Sequence, residues 1–249
     1  MFFETGYTST VFTLNLGEKF DTSNVTDMSS LFDRTGYNSS LFTLDLGDKF
    51  DTSKVTDMSD MFSTTGYKST IFTLNLGNKF NTSNVTDMSD MFHSTGHSNQ
   101  SFTLDLGDKF DTSNVTDMQM MFFDTGYTST VFTLDLGDKF NTSKVTNMYW
   151  MFVGTGYNST VFTLDLGNNF DTSNVTNMAH MFAYTGYENN NLVLDLSTFS
   201  FSKVTNYTNI FDGMSTTKKI YVGNTTARDW IINNSGNSAL TTSNVLIKT

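Results

Sequence analysis

The chain has 249 residues, 14 Lys and Arg against 25 Asp and Glu, a net charge of −11, and neither cysteine nor proline. That balance repels polyanions, which excludes nucleic acid and an anionic membrane surface as long-range partners. Without cysteine there are no disulfides, thiolate nucleophiles or thiolate metal sites. The 24 phenylalanines argue for a packed core and against disorder, and no segment approaches the roughly 20 apolar residues of a membrane span.

The chain opens Met1-Phe2-Phe3-Glu4-Thr5-Gly6-Tyr7, a phrase that returns at Met61-Phe62-Ser63-Thr64-Thr65-Gly66-Tyr67 and at Met151-Phe152-Val153-Gly154-Thr155-Gly156-Tyr157. It starts in mid-repeat and reads as a piece of something longer, so the want of a signal peptide carries no information. The period is 30: Gly6, Gly36, Gly66, Gly96, Gly126, Gly156 and Gly186 are evenly spaced. A fixed period of this size dictates the architecture.

Within a unit, Phe132, Leu134 and Leu136 alternate with Thr133 and Asp135, the pattern of a strand with one face buried. Val145, Met148, Met151 and Phe152 then fall at spacings of three and four, which suits a short helix. Thr146 or Ser143 would cap its start, Asn147 would sit near its positive end, and Gly156 would supply the left-handed stop. Such a unit cannot bury its apolar face alone. Stacked units can, so the pattern predicts a leucine-rich-repeat-like solenoid over residues 1–211, with one parallel sheet running from Leu14 to Leu194 and short helices on the other side. An all-β solenoid is the alternative, because so short an apolar stripe does not prove a helix. Residues 212–249 break the period. Ile220-Tyr221-Val222, then Trp230-Ile231-Ile232, then Val245-Leu246-Ile247 read as a strand–helix–strand cap of the same domain.

Phrases such as Thr172-Ser173-Asn174-Val175-Thr176-Asn177-Met178, Leu194-Asp195-Leu196-Ser197 and Met181-Phe182 resemble the BspA-like leucine-rich-repeat surface proteins, over essentially the whole chain. The resemblance implies a solenoid on a bacterial surface, with adhesion or host binding as its use. Units here are a few residues longer than the common repeat of that family, and Gly6-Tyr7 and its copies stand where many members carry a cysteine.

Catalysis finds no foothold. His93, His97 and His180 are scattered, the many serines and threonines are copies of one another, and no phosphate loop, zinc spacing or triad is visible. A non-enzymatic chain without cofactors is expected. On the outward side of the strands Asp105, Asp135, Asp165 and Asp195 form an acidic ladder, with neighbours about 4.8 Å apart. Hydrogen bonding to backbone or threonine, pairing with Lys19, Lys49, Lys79, Lys109 and Lys139, or a calcium ion would each relieve its repulsion. The tyrosines Tyr7, Tyr37, Tyr67, Tyr127, Tyr157 and Tyr187 make a stacked spine or a strip for sugar or peptide.

Most columns are fixed, but the residues flanking each Met-Phe pair change. They are Ser29-Ser30 and Ser59-Asp60 early, then Met120, Phe123, Tyr149, Trp150, Val153 and Tyr184. With Met121, Phe122, Met151 and Phe152 inside, these six are the ligand-binding candidates, an aromatic strip of the kind that anchors partners. Packing between neighbouring units is the other reading. The expectation is an extracellular or cell-surface binding module for a protein or glycan of a host or neighbouring cell. A structural stalk of a larger surface protein is the alternative. The first strand has no preceding partner, which predicts self-association through the uncapped N-terminal end.

Overall fold

The computed structural model describes residues 1–17, 19–107 and 109–249. Seven coils each contribute one strand: β1 (Val11–Asn15), β2 (Leu41–Asp45), β3 (Ile71–Asn75), β4 (Ser101–Asp105), β5 (Val131–Asp135), β6 (Val161–Asp165) and β7 (Val193–Leu196). Within the sheet each residue pairs with its own copy in the next coil, Phe12 with Phe42 and Leu134 with Leu164, all in parallel. The chain is a parallel β-solenoid. The alternation puts Phe132 and Leu134 inside and leaves Val131 and Asp135 exposed.

The wall opposite the strands is not helical. From Met28 to Ser39 alternate N–H groups close tight turns, Leu31 to Met28, Asp33 to Ser30, Thr35 to Phe32, Tyr37 to Arg34 and Ser39 to Gly36. The N–H groups between them leave the coil. Those of Met28, Ser30, Phe32 and Arg34 donate to Asp57, Ser59, Met61 and Ser63 of the following coil. A helix keeps these donors within its own segment and has none left for a neighbour, so stacked coils favour turns. The expected helix at Val145–Phe152 is therefore replaced by turns, with Trp150 at φ 60°. Asn147 does accept a backbone N–H, that of Tyr149 at 3.2 Å, but it closes an Asx turn. The all-β alternative describes this wall; the only helix among the described residues is in the cap.

The core is a stack of columns. Phe2, Phe32, Phe62, Phe92, Phe122, Phe152, Phe182 and Phe211 lie ring on ring at 5.3–5.7 Å. Methionine, valine and leucine columns pack around them. Buried threonines tie the coils: the Thr142 hydroxyl donates to Asp171 C=O at 2.8 Å and accepts the Asp171 N–H at 2.7 Å.

The sheet is not continuous from Leu14 to Leu194, as the repeat predicts. It falls into β1-β2-β3, β4-β5-β6 and β7-β8-β9. Both breaks coincide with an asparagine in a column otherwise occupied by Ser9, Ser39, Ser69, Ser129 and Ser159. Asn99 Oδ1 accepts the Phe72 N–H at 3.1 Å, and Asn189 Nδ2 donates to Phe162 C=O at 3.1 Å. Each amide side chain takes a backbone group of the strand before it and parts that strand from the next. At an intact position, a Cβ on Gly77 would lie 2.2 Å from the Gly47 carbonyl oxygen; beside the break, Gly107 has nothing within 4 Å. The turn wall stays zipped throughout, through bridges from Asp27–Asp57 to Asn177–Asn206.

The C-terminal end is sealed by β8 (Lys219–Val222), α1 (Thr225–Asn234) and β9 (Val245–Ile247). β8 and β9 extend the sheet from β7. Asn224 caps α1 by accepting the Ala227 N–H at 2.9 Å, and Asn237 Nδ2 donates to the last-coil carbonyls of Phe211 and Met214, both at 2.9 Å. At the other end β1 pairs on one side only, with β2, and Phe12, Leu14 and Leu16 stay partly exposed.

The threonine ties give a test. Thr142→Val keeps the shape but leaves Asp171 N–H and C=O without partners, so urea unfolding should show a loss of about 1–3 kcal/mol. An unchanged midpoint would mean the hydroxyl contributes nothing.

Candidate functional site

The columns that flank the Met-Phe pairs, where the chemistry changes from serine and carboxylate to aromatic, fall on the turn wall. Phe123 stacks on Trp150 at 5.4 Å, and Trp150 on Tyr149 at 5.1 Å. His180 turns its ring edge to Trp150 at 5.6 Å, and His93 meets Phe123 edge-on at 4.9 Å. Three of the six sequence candidates thus form one stack, which runs on into two histidines that sequence reasoning set aside. Met120 precedes Trp150 in its column and Val153 follows Phe123 in its own; both are half-buried, as are the stacked rings. The rings are therefore less open than a free strip of side chains would be. Trp150 Nε1 is buried and has no hydrogen-bond partner. Tyr184 stands apart. It is 39% exposed and meets Tyr157 and Tyr187 at 6.2 and 5.8 Å.

Trp150 and Met120 have left-handed backbones, unusual for bulky residues. The cause is architectural: Ser30, Asp60, Asp90 and His180, their copies, have φ of 54–58° as well. The coil demands the conformation, and the sequence fills the position with different chemistry.

Toward the N-terminus the same columns become acidic. Asp60 and Asp90 share the column of Met120 and Trp150, Asp33 and His93 share that of Phe123, and Asp124 follows Phe123. Asp90 Oδ1 lies 3.2 Å from His93 Nδ1, and the Thr64 hydroxyl donates to Asp33 at 2.9 Å. Arg34, at the end of this patch, pairs with Glu4 at 3.3 Å. The Asp124 carboxylate occupies the space where a Cβ on Gly154 would sit, 2.0 Å away, so a side chain at 154 would displace it. Burial pushes Asp124 up to about 6. Burial, then the carboxylates of Asp90 and Asp33, push Asp60 to about 6. Among the described residues no lysine or arginine forms an ion pair with Asp60, Asp90 or Asp124.

The strand face behaves differently. Asp105, Asp135 and Asp165 each accept the N–H of the glycine two residues on, at 2.9–3.0 Å, and Asp195 accepts that of Ser197 at 3.0 Å. Backbone hydrogen bonding thus occupies one oxygen of every ladder carboxylate. The lysine column does not pair with the ladder; Asp195 pairs with Lys248 from the cap. In β1–β3 the repulsion is absent, because Asn15 and Asn75 both donate to Asp45, at 3.1 and 3.0 Å. Among the described residues no group of three or more His, Cys, Asp or Glu is placed to hold a metal ion. Sequence reasoning missed a second feature of this face: Val11, Leu41, Ile71, Val131, Val161 and Val193 line its edge at 40–65% exposure. The signal was the first residue of each strand.

The tyrosines form the spine. Neighbouring rings from Tyr7 to Tyr187 lie 4.3–5.0 Å apart, with His97 in the middle. Burial there pushes His97 down to about 4. Buried Lys218 ends the column, its Nζ 5.4 Å from the Tyr187 ring centre and donating to Tyr187 C=O at 2.9 Å. A separate apolar cavity of about 370 Å³ lies between the last coil and α1, walled by Phe199, Phe201 and Trp230.

The family described as "Mycoplasma protein of unknown function, DUF285" matches residues 1–130 and again 99–225. No curated protein and no solved structure matches the chain.

Asp124 offers a pH test. Its folded-state value of about 6 lies above the ordinary 3.8, so between those values the folded chain binds a proton that the unfolded chain has released. Stability from this group therefore falls as pH rises through that window. The Tm advantage of Asp124→Asn over the parent should grow from pH 4 to 6.5 and stay level above it. A constant difference would mean Asp124 titrates normally.

Proposed function

Because the chain belongs to that Mycoplasma family of unknown function, no activity comes with the membership, and we propose from the turn wall itself that the chain is a non-catalytic binding module displayed at a cell surface. The observation that carries the reading is where the coils differ. The core columns keep their residue types almost throughout the solenoid while the outer columns of one wall run from carboxylates to a stack of Phe123, Trp150 and Tyr149. A scaffold needs its inward columns constant. It does not need outward ones to change from carboxylate to aromatic, and divergent aromatic positions on a rigid frame are where binding specificity resides. The resemblance to BspA-like proteins supports the extracellular setting and an adhesin-like use, with a protein or a glycan of a host or neighbouring cell as the ligand.

A structural stalk is the second reading. The half-burial of the same rings favours it, since stacking between coils gives them a packing role.

A glycan array and a pull-down from host matrix, run in parallel on the parent, Phe123→Leu and Trp150→Leu, separate the two. Leucine keeps the apolar bulk and removes the ring. A binding module should find a ligand and lose it in both variants while circular dichroism and Tm stay close to the parent. A stalk would give no ligand, or one indifferent to both substitutions.

A further inference from the structure

We propose that the cavity between the last coil and α1 is a binding site for a small, uncharged aromatic molecule of one or two fused rings, separate from the turn wall and independent of what binds there.

The repeat itself is altered where this cavity lies. In the coils before it a buried threonine ties each coil to the next, as the Thr142 hydroxyl does to the backbone of Asp171. Thr172 makes the same tie to the C=O and N–H of Ser200, at 2.8 Å each. Ser200 therefore stands in the column of Asp111, Asn141 and Asp171, and Phe201 in the column of Thr112, Thr142 and Thr172. The last coil has a hydroxyl in place of an acid or amide, and a phenyl ring in place of a hydrogen-bonding threonine. Phe199 continues the column of Phe170, stacked on it at 5.2 Å, and Trp230 from α1 lies face to face with Phe201 at 4.2 Å. Packing against the cap accounts for one face of the Phe201 ring. It leaves the cavity of about 370 Å³ that these rings wall together with Ala227.

Size, charge and wall chemistry select the occupant. Small-molecule sites run from about 300 to 1,000 Å³, and a dry cavity of about 150 Å³ holds a benzene, so this one has room for a bicyclic ring. A protein partner instead spreads over roughly 800 Å² of each surface. No Asp, Glu, Lys, Arg or His is among the described residues that line the cavity, whereas cavities elsewhere on the chain are lined by Asp or Lys. In a chain of net charge −11 such a lining selects against ions, because a charge brought there finds no counter-charge. The rings of Phe199, Phe201 and Trp230 gain from edge and offset contacts with a further ring beyond the area buried. The polar lining residues Ser202, Asn224 and Thr226 are exposed and so stand at the mouth. They suit a ligand with a single hydrogen-bonding group, such as an indole N–H. A sugar, polar around its whole rim, would set hydroxyls against the phenyl walls.

The probe is indole, with indole-3-carboxylate as its anionic and tryptamine as its cationic analogue, titrated into the intact nitrogen-15-labelled chain. The chain has two tryptophans, so the side-chain N–H signals of Trp150 and Trp230 report the turn wall and the cavity separately. Indole should shift the Trp230 signal saturably and leave that of Trp150 in place. Both charged analogues should bind about tenfold or more weakly. Ala227→Leu, which fills the cavity from α1, should weaken indole about tenfold as well. Ser200→Asp, which restores the acid of the repeat, should weaken indole and strengthen tryptamine, and it keeps the test decisive where Ala227→Leu disturbs the cap. An unmoved Trp230 signal, equal binding of the three probes, or an indole affinity unchanged in Ser200→Asp would overturn the proposal. So would a Gly-Trp-Gly peptide that binds more tightly than indole, which would make the occupant a partner's side chain. None of these outcomes involves Phe123, and the binding role of the turn wall stands or falls on its own experiment.

Discussion

The backbone hydrogen bond that leaves its own coil governs this molecule. On the strand side it forms the parallel ladder; on the turn side, every second N–H from Met28 to Arg34 crosses to the next coil. Because the bond runs along the solenoid axis, each residue must stand over its own copy, and the columns follow without further instruction. Phenylalanine stacks on phenylalanine, and the hydroxyls of Thr22, Thr52, Thr112, Thr142 and Thr172 each find a carbonyl and an N–H at the same place in the following coil. The absence of proline belongs to the same constraint, since nearly every N–H has a place in a ladder or a turn.

That constraint also explains which features were legible in the sequence. The period and the strands were, because alternation of Phe132 and Leu134 with Thr133 and Asp135 has one simple reading. The turn wall was not. Val145, Met148, Met151 and Phe152 point inward at spacings of three and four, and a train of tight turns yields the same spacing as a helix. What distinguishes them is a positive φ in every coil, and Ser30, Asp60, Met120 and Trp150 occupy that position without a glycine to announce it. The sheet breaks left only a faint trace, two asparagines in a serine column. Their meaning depends on a side-chain amide reaching a backbone group of the coil before, which no local pattern records.

The candidate site divides in the same way. Phe123, Tyr149 and Trp150 were readable because they interrupt a repetitive text, and they do stack on one another. Asp60 and Asp90 stood in the same column and were passed over, since a carboxylate among serines looks like ordinary surface. Only the structure brings His93 and His180 to the edges of the stack and seats Asp124 over Gly154. Tyr184, outward and aromatic like the others, belongs instead to the tyrosine spine, because two positions in one coil can face different neighbours.

The asparagine breaks carry a mechanical consequence. Asn99 and Asn189 stand 90 residues apart and unzip one wall while the other stays closed, so each acts as a one-sided joint between three-stranded blocks. A solenoid built this way is held less firmly where it is split than in between. Under axial tension the joints, held by a single ladder, yield before the coils inside a block. Neighbouring blocks then part while each stays folded, where an unbroken stack would peel coil by coil.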